Sequence, residues 1–543
     1  MPQTLHNGIE LPDSWPPHYS QLTLKATKPA YLESPPAVIR INIGRQLFVD
    51  DFLISHTTLD RTFHTAQYHP ASPVLVPDQT WENKGMHFLV SRGKWIQGPS
   101  AMPFSDGVWY DPKDQLFKMW YMAGMLYGLC YATSTDGIHW KKPKLDVVPG
   151  TNIVHYSNRD STTVWLDLFE KDPNRRYKLY RFEKKPRRGF VLHYSPDGIH
   201  WSDEIARAGE GHDRMTIFYN PFRKVWVHSI KATGRIEGLE EPERMVRYWE
   251  QEDLESSPMW EKMDEALLWT ATDELDPIHP DSDIGRPKVY NLDAVAYESI
   301  LLGGFAILET YYAGKQNDRP KRNQIHLGFS RDGFHWDRPF RKPVIGVSEQ
   351  AGDWNWGNVQ TAGGICLIND DKLYIYVSGR AGVTTDHQGG HRDARGTTGL
   401  AIMRRDGFAS MDAMGKPGTL TTRPVTFSGK HLFVNVNGEV AAEILDENGQ
   451  VIAPFTQAHC RPVIGDTTCQ MIQWESNLDL SQVAGQPVRL RFHLKHGQLY
   501  AFWISPNHTG ASHGYVAAGG PGFNGPTDTV GQLHSPENKR HSK

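Results

Sequence analysis

Apolar and polar residues alternate with a period of two through most of this chain, in runs rich in Trp, Tyr, Phe, Val and Ile. Such alternation places successive side chains on opposite faces and predicts strands. Helix signals are nearly absent. Five stretches share one grammar: an acidic residue, a short apolar strand, a turn, a second strand and finally an Asp-Gly turn. They are Ser105–Gly124, Arg159–Phe182, His212–Ser229, Leu292–Tyr312 and Asn358–Gly379.

The Asp-Gly turns form a repeat. Ser134–Trp140 reads STDGIHW, Ser195–Trp201 SPDGIHW and Ser330–Trp336 SRDGFHW, with weaker echoes at Gln251–Trp260 and Arg405–Met411. Measured at the terminal Trp or Met, the spacings are 61, 59, 76 and 75 residues. Self-similarity at such a period marks a repeat architecture. Each unit reads as a small antiparallel sheet with a hairpin signal at Asp-Gly, and its Trp packs between units. The expected fold is all-β: a five-bladed β-propeller followed by a C-terminal β-sandwich.

The same patterning sets expected boundaries. Residues 1–42 are Pro-rich and read as an extended arm on the propeller, with Leu47–Ile54 opening the ordered body as a strand. Residues 43–419 form the propeller and 420–505 the sandwich. Hairpins are expected at Asn437-Gly438 and His496-Gly497. Residues 506–543 are rich in Gly, Ser, His and Pro and read as a polar, mobile tail.

Composition narrows the function. A net charge of −4 with 22% charged residues gives no electrostatic footprint for nucleic acid or an anionic membrane. Aromatics make up 11%, including 17 Trp and 21 Tyr, which suits both inter-blade packing and stacking on sugar rings. Cys130 and Cys366 lie in apolar strand text as buried thiols. Cys460 and Cys469 are read as free thiols, with pairing across a hairpin as the alternative. The first residues show no basic segment followed by an apolar run, and no stretch has the length to span a bilayer, so a cytoplasmic protein is expected.

In a propeller the first strand of each blade lines the central funnel. Aligning the blades puts Asp106, Asp160, Asp213, Asp293 and Asn358 at or near the start of that strand. An Asp in such a place often caps a turn. Four carboxylates converging on one axis, however, push at least one pKa upward, as acid–base chemistry on a glycosidic bond requires.

Ser105-Asp106-Gly107-Val108-Trp109-Tyr110 resembles the first-blade Asn-Asp-Pro-Asn-Gly motif of glycoside hydrolase family 32. Arg159-Asp160-Ser161 resembles that family's Arg-Asp-Pro motif, and the SxDGxxW turns are similar to those of families 32, 43, 68 and 130. The resemblance implies a glycosidase that removes terminal sugars from oligosaccharides. It places Asp106 as nucleophile or water-activating base and Asp160 as transition-state stabiliser. The family's Glu-Cys acid motif is absent: that slot reads Glu210-Gly211-His212-Asp213-Arg214. Asp213 is the first choice of acid, with Glu210, His212, Asp293 and Glu298 as alternatives.

Arg214, Asp293, Trp356, Asn358, Glu298 and Arg380 are the expected substrate-binding residues. Trp354 and Trp356 would form a stacking platform, and Glu298, late in its strand, points to the far end of the funnel. His387 and His391 have a spacing that suits a metal, but a Gly-rich loop seldom closes a metal site, so no metal or cofactor is expected. The expected partner is an oligosaccharide, with no nucleic acid and no membrane. Two rivals remain: a glycoside phosphorylase, holding phosphate through Arg214, Arg286, Arg380 and His212, and a non-catalytic carbohydrate-binding propeller.

Overall fold

The computed structural model describes residues 3–89, 94–156, 159–183, 189–255, 259–312, 319–382 and 395–534. Among them, five antiparallel sheets follow one another along the chain, as the alternation predicts. The first comprises Ala101–Asp111, Leu116–Ala123, Gly128–Ser134 and Ile153–Tyr156. The second comprises Thr162–Leu166, Tyr177–Glu183, Gly189–Ser195 and Ala206–Arg207. The third comprises Met215–Asn220, Val225–Gly234, Glu243–Gln251 and Leu267–Thr270. The fourth is built on Lys288–Glu298, Ile300–Thr310 and Arg322–Ser330. The fifth uses Asn358–Thr361, Lys372–Arg380 and Gly396–Arg404. Its outer edge is Gln67–Tyr68, a strand that precedes the first sheet and so closes the circle.

The first strands of these sheets form the inner ring of a β-propeller, and a hydrogen bond spans each junction. Trp109 Nε1 donates to Val164 O at 2.8 Å, Ser161 N to Asp213 O at 3.2 Å and Thr216 Oγ1 to Leu292 O at 3.0 Å. Thr361 Oγ1 donates to the Asp293 carboxylate, and Val108 N to Gly363 O at 3.2 Å.

The SxDGxHW phrases act between sheets. In each, the Ser hydroxyl accepts the Gly N–H while the Asp carboxylate accepts two further backbone N–H groups, which fixes a rigid bend. An aromatic side chain of the preceding sheet then latches onto that bend. Trp120 Nε1 donates to Gly198 O at 2.7 Å, Trp269 Nε1 to Phe334 O at 2.7 Å and Tyr376 Oη to Gly137 O at 2.5 Å. The repeat is thus a docking device between blades.

The second β unit draws on more of the chain than the sequence reading gave it. It has its own apolar core of Phe48, Leu53, Leu432, Val434, Phe492 and Phe502 among others. Its strands come from both halves of the chain: Gln46–Leu47, Ile54–Thr57 and Asp60–Phe63 join Ala409–Ala413, Gly418–Thr422, His431–Leu445, Val463–Met471 and Arg489–Ser505. The boundary at residue 420 and the single strand Leu47–Ile54 are therefore corrected. Pairing between distant segments leaves no local trace in the text.

The two expected hairpins are corrected as well. His431–Leu445 and Arg489–Ser505 are continuous strands of 15 and 17 residues. Gly438, at φ 134°, sits at a register shift facing Gly497, where a Cβ on Gly497 would lie 2.0 Å from Asn437 O. Positive φ and close approach serve a bulge as well as a turn. The arm is extended as expected but runs over both units: Leu22–Thr23 pairs with Ile236–Glu237, and Ile39–Arg40 with Val425–Thr426. All four cysteines are unpaired.

Residues 506–534, expected to be mobile, are packed across one end of the ring. Tyr515–Val516 pairs with the end of Lys288–Glu298, and Ala518 O accepts from Tyr110 N at 2.9 Å. With Trp109, Trp165 and Tyr219, Tyr515 makes that end apolar. Residues 535–543 lie outside the described residues.

Candidate functional site

The opposite end of the ring is charged. Asp106 and Asp293 are each the sixth residue of their inner strand, whereas Asp160 and Asp213 precede theirs. The carboxylates expected at one level therefore form two layers.

The inner layer is buried. Asp106 is 0% exposed and receives both ends of the Arg159 guanidinium, at 2.8 and 2.5 Å. Burial pushes the Asp106 carboxyl up to about 6, against the pull of Arg159 and Arg214. Asp293 accepts hydrogen bonds from Thr361, from Asn291 at 2.9 Å and from Ser105 at 3.4 Å. Burial raises its pKa too, opposed by Arg214. Arg214 is the hub: it donates to Ser105 Oγ and Gln360 Oε1 at 2.9 Å and to Ser161 Oγ at 3.2 Å, with its guanidinium 3.9 Å from the Phe104 ring centre. Arg380, 1% exposed, lies 5.3 Å from the same ring. Ser105 makes these approaches from a left-handed backbone, φ 63°, beside a register shift in its sheet.

The outer layer is half-buried and consists of Asp160, Asp213, Lys231, Arg244, Tyr290 and Lys321. Asp213 is ion-paired with Lys231 and keeps 43% of its side chain exposed. Burial raises its pKa, but Lys231, with Arg244 and Lys321 behind it, prevails and holds the carboxyl below its usual range. That state differs from the protonated one that the acid expected at Asp213 needs. Lys321 Nζ donates to Tyr290 Oη at 2.5 Å. Burial raises the Tyr290 phenol, yet Lys321, Arg244, Arg380 and Arg214 together bring it below its ordinary value.

Other expected site residues lie elsewhere or have different surroundings. Glu298 is five residues beyond Asp293, about 16 Å along the strand, at the apolar end. There it is fully buried with Arg45 Nε at 3.5 Å and Arg405 Nη2 at 3.2 Å. Glu210 is exposed and accepts from Met263 N at 3.1 Å, on the third sheet's outer side. Arg286 donates to Asp273 O at 2.6 Å, away from the ring mouth. Trp356 is 6% exposed under Arg319, and Trp354 fills the space over Gly379 and Gly399, so neither is an open platform. Asn358 is buried, donating to Lys321 O at 2.7 Å and accepting from Gln360 at 3.0 Å, which makes it a positioning residue. His387 and His391 lie outside the described residues.

Sequence reasoning missed Arg159 as a partner of Asp106 and missed Lys231, Arg244, Tyr290 and Lys321 altogether. The one textual signal was a basic residue interrupting apolar strand text, as in His228–Gly234 (HSIKATG). A groove of about 370 Å³ between Tyr19, Trp269 and Trp336 lies outside the third and fourth sheets, apart from this mouth.

No family model matches the chain. No curated protein matches it either. Solved structures are similar in fold. One is an N-acetylgalactosamine deacetylase from F. plautii in complex with blood group B trisaccharide: 14% identity, 62% of this chain and 97% of that one, TM-score 0.39. Another is from the GH130 family of mannoside phosphorylases, which contains glycoside hydrolases that target β-1,2 mannosidic linkages in Candida mannan: 14% identity, 65% and 97% coverage, TM-score 0.39. An exo-inulinase from Aspergillus awamori shares 10% identity over 79% of this chain and 99% of its own, TM-score 0.33.

Proposed function

We propose that this protein is a glycoside hydrolase that removes terminal sugars from oligosaccharides at the charged mouth of the ring. The observation that carries this reading is the pair Asp160 and Asp213. Both are half-buried carboxylates just ahead of adjacent inner strands, joined through the Ser161 N–Asp213 O hydrogen bond. Two carboxylates flanking one glycosidic bond are the minimum equipment for its hydrolysis.

Asp213, held ionised by Lys231, is the base or nucleophile. Asp160 protonates the leaving oxygen. Asp106 has no exposed surface and both oxygens on Arg159, so it acts as a positioning residue, with Arg214 and Asp293 beside it.

The test uses aryl glycosides and oligosaccharides with leaving groups of graded acidity. Asp213→Ala loses turnover on all of them. Asp160→Ala loses it on oligosaccharides but keeps it on dinitrophenyl glycosides, whose departure needs no proton. Full activity in Asp213→Ala refutes the assignment. Absence of turnover by the parent on every glycoside favours a binding module.

A further inference from the structure

The hydrolytic reading gives Lys321, Tyr290 and Arg244 no contact with substrate, only a distant pull of the two cations on Asp213. Lys321 Nζ donates to the Tyr290 phenol at 2.5 Å, which leaves the phenol its own O–H to donate. Arg244 lies with its guanidinium 4.1 Å from the Tyr290 ring centre. It spends Nε on Val289 O at 3.1 Å and Nη2 on Tyr290 O, both neutral acceptors. Among the described residues, neither Lys321 nor Arg244 forms an ion pair, whereas Lys231 has Asp213 and Arg159 has Asp106.

Asp213 lies near but is already paired with Lys231, so Lys321 and Arg244 act on it only from a distance; cations left without an ion pair in a half-buried place repel one another, and an anion relieves the repulsion. The phenol O–H, an ammonium and a guanidinium together match the donors that an oxyanion takes. A neutral sugar would leave that charge unmet.

We infer that Lys321, Tyr290 and Arg244 form an oxyanion site beside Asp213, taking a carboxylate, sulfate or phosphate group. The inference rests on the proposed reading in that it makes the substrate of the same mouth anionic, either through a substituent on the sugar or through free phosphate.

Calorimetry with sodium D-glucuronate, sodium sulfate, inorganic phosphate and D-glucose on the parent, Lys321→Met, Arg244→Met and Lys495→Met tests it. Lys495 pairs with Glu439 on the second β unit and controls for loss of one charge. At least one anion binds the parent, more tightly at low salt, and weakens about tenfold or more in Lys321→Met and Arg244→Met but not in Lys495→Met. Melting curves confirm that each variant is folded. Tyr290→Phe, which keeps the ring and loses only the donor, weakens the same anion and covers the case in which a charge variant fails to fold.

Anion binding that is equal in the parent and the mouth variants overturns the inference, as does the absence of binding by all three anions. The source is read from turnover. Release from uronate- or sulfate-bearing oligosaccharides without phosphate assigns the anion to the sugar, and phosphate-dependent release from neutral ones assigns it to phosphate. An anion bound at this site by a parent that turns over no glycoside sinks the hydrolase reading alone. Turnover of neutral glycosides without anion binding sinks the oxyanion site alone.

Discussion

Arg159 holds Asp106 from both ends of its guanidinium, Nη1 on Oδ2 at 2.8 Å and Nη2 on Oδ1 at 2.5 Å, with neither side chain more than 2% exposed. The pair is joined to the next residue as well, since Arg159 also donates to Asp160 O. A buried ion pair thus fixes the loop that presents Asp160. Asp106→Asn leaves a buried guanidinium half met, and a loss of about 3–5 kcal/mol is expected. Urea unfolding measures it, and turnover falls with it because Asp160 loses its support.

The same pair has a pH signature. Asp106 titrates near 6 in the folded chain, above the ordinary carboxylate value of 3.8. The folded state therefore binds a proton that the unfolded state releases, and between about pH 4 and pH 6 this group's contribution to stability falls as pH rises. Asp106→Asn lacks that contribution. Its melting temperature is expected to lie further below the parent's at pH 4.5 than at pH 7. A gap that narrows toward acid contradicts the shift.

Lys231 keeps Asp213 ionised. Lys231→Met is expected to move the acid limb of the kcat/KM profile to higher pH by about one unit or more, the usual effect of an adjacent opposite charge. A profile that falls at acid pH as the parent's does removes Asp213 from the rate equation.

Trp120 and Tyr376 latch onto equivalent bends, at Gly198 and Gly137. Trp120→Phe and Tyr376→Phe each orphan a carbonyl between sheets at similar cost, about 1–3 kcal/mol. Chemical unfolding of the two variants checks both the magnitude and its near equality.

At the far end of the ring, Glu298 meets Arg45, Arg405 and Ser512, all fully or nearly fully buried. Glu298→Gln removes one of two carboxylates from each guanidinium, since Arg45 keeps Asp406 at 2.8 Å and Arg405 keeps Asp528 at 3.3 Å, and it is expected to destabilise by about 3 kcal/mol while leaving KM for substrate unchanged. A raised KM with unaltered stability would place Glu298 back at the mouth.

What the sequence made legible is what short-range chemistry dictates. Alternation revealed the strands, and Ser-x-Asp-Gly revealed the bends because the Ser and Asp side chains bind their own backbone. Asp106, Asp160, Asp213 and Asp293 all reached the charged end. Their depth did not show, because Asp106 and Asp293 lie mid-strand while Asp160 and Asp213 precede theirs, and strand starts blur in apolar text. The cations Lys231 and Arg244 come from the second and third strands of the third sheet and Lys321 from just ahead of Arg322–Ser330 in the fourth, so none lies on an inner strand. Asn437-Gly438 was misread because a bulge and a hairpin make the same demand on φ.

Glu298 also carries a consequence for synthesis. Its buried partners arrive from a growing chain at very different times: Arg45 is made early, Arg405 late, and Asp528, which holds Arg405 at 3.3 Å, later still. Gln67–Tyr68 likewise waits for Gly396–Arg404 before the fifth sheet has its edge. A nascent chain halted between these points keeps an open strand edge and a guanidinium without its carboxylates, the features that invite association with other chains. The arrival of Asp528, rather than the completion of any one sheet, is therefore the moment at which these buried charges are closed off from neighbouring chains.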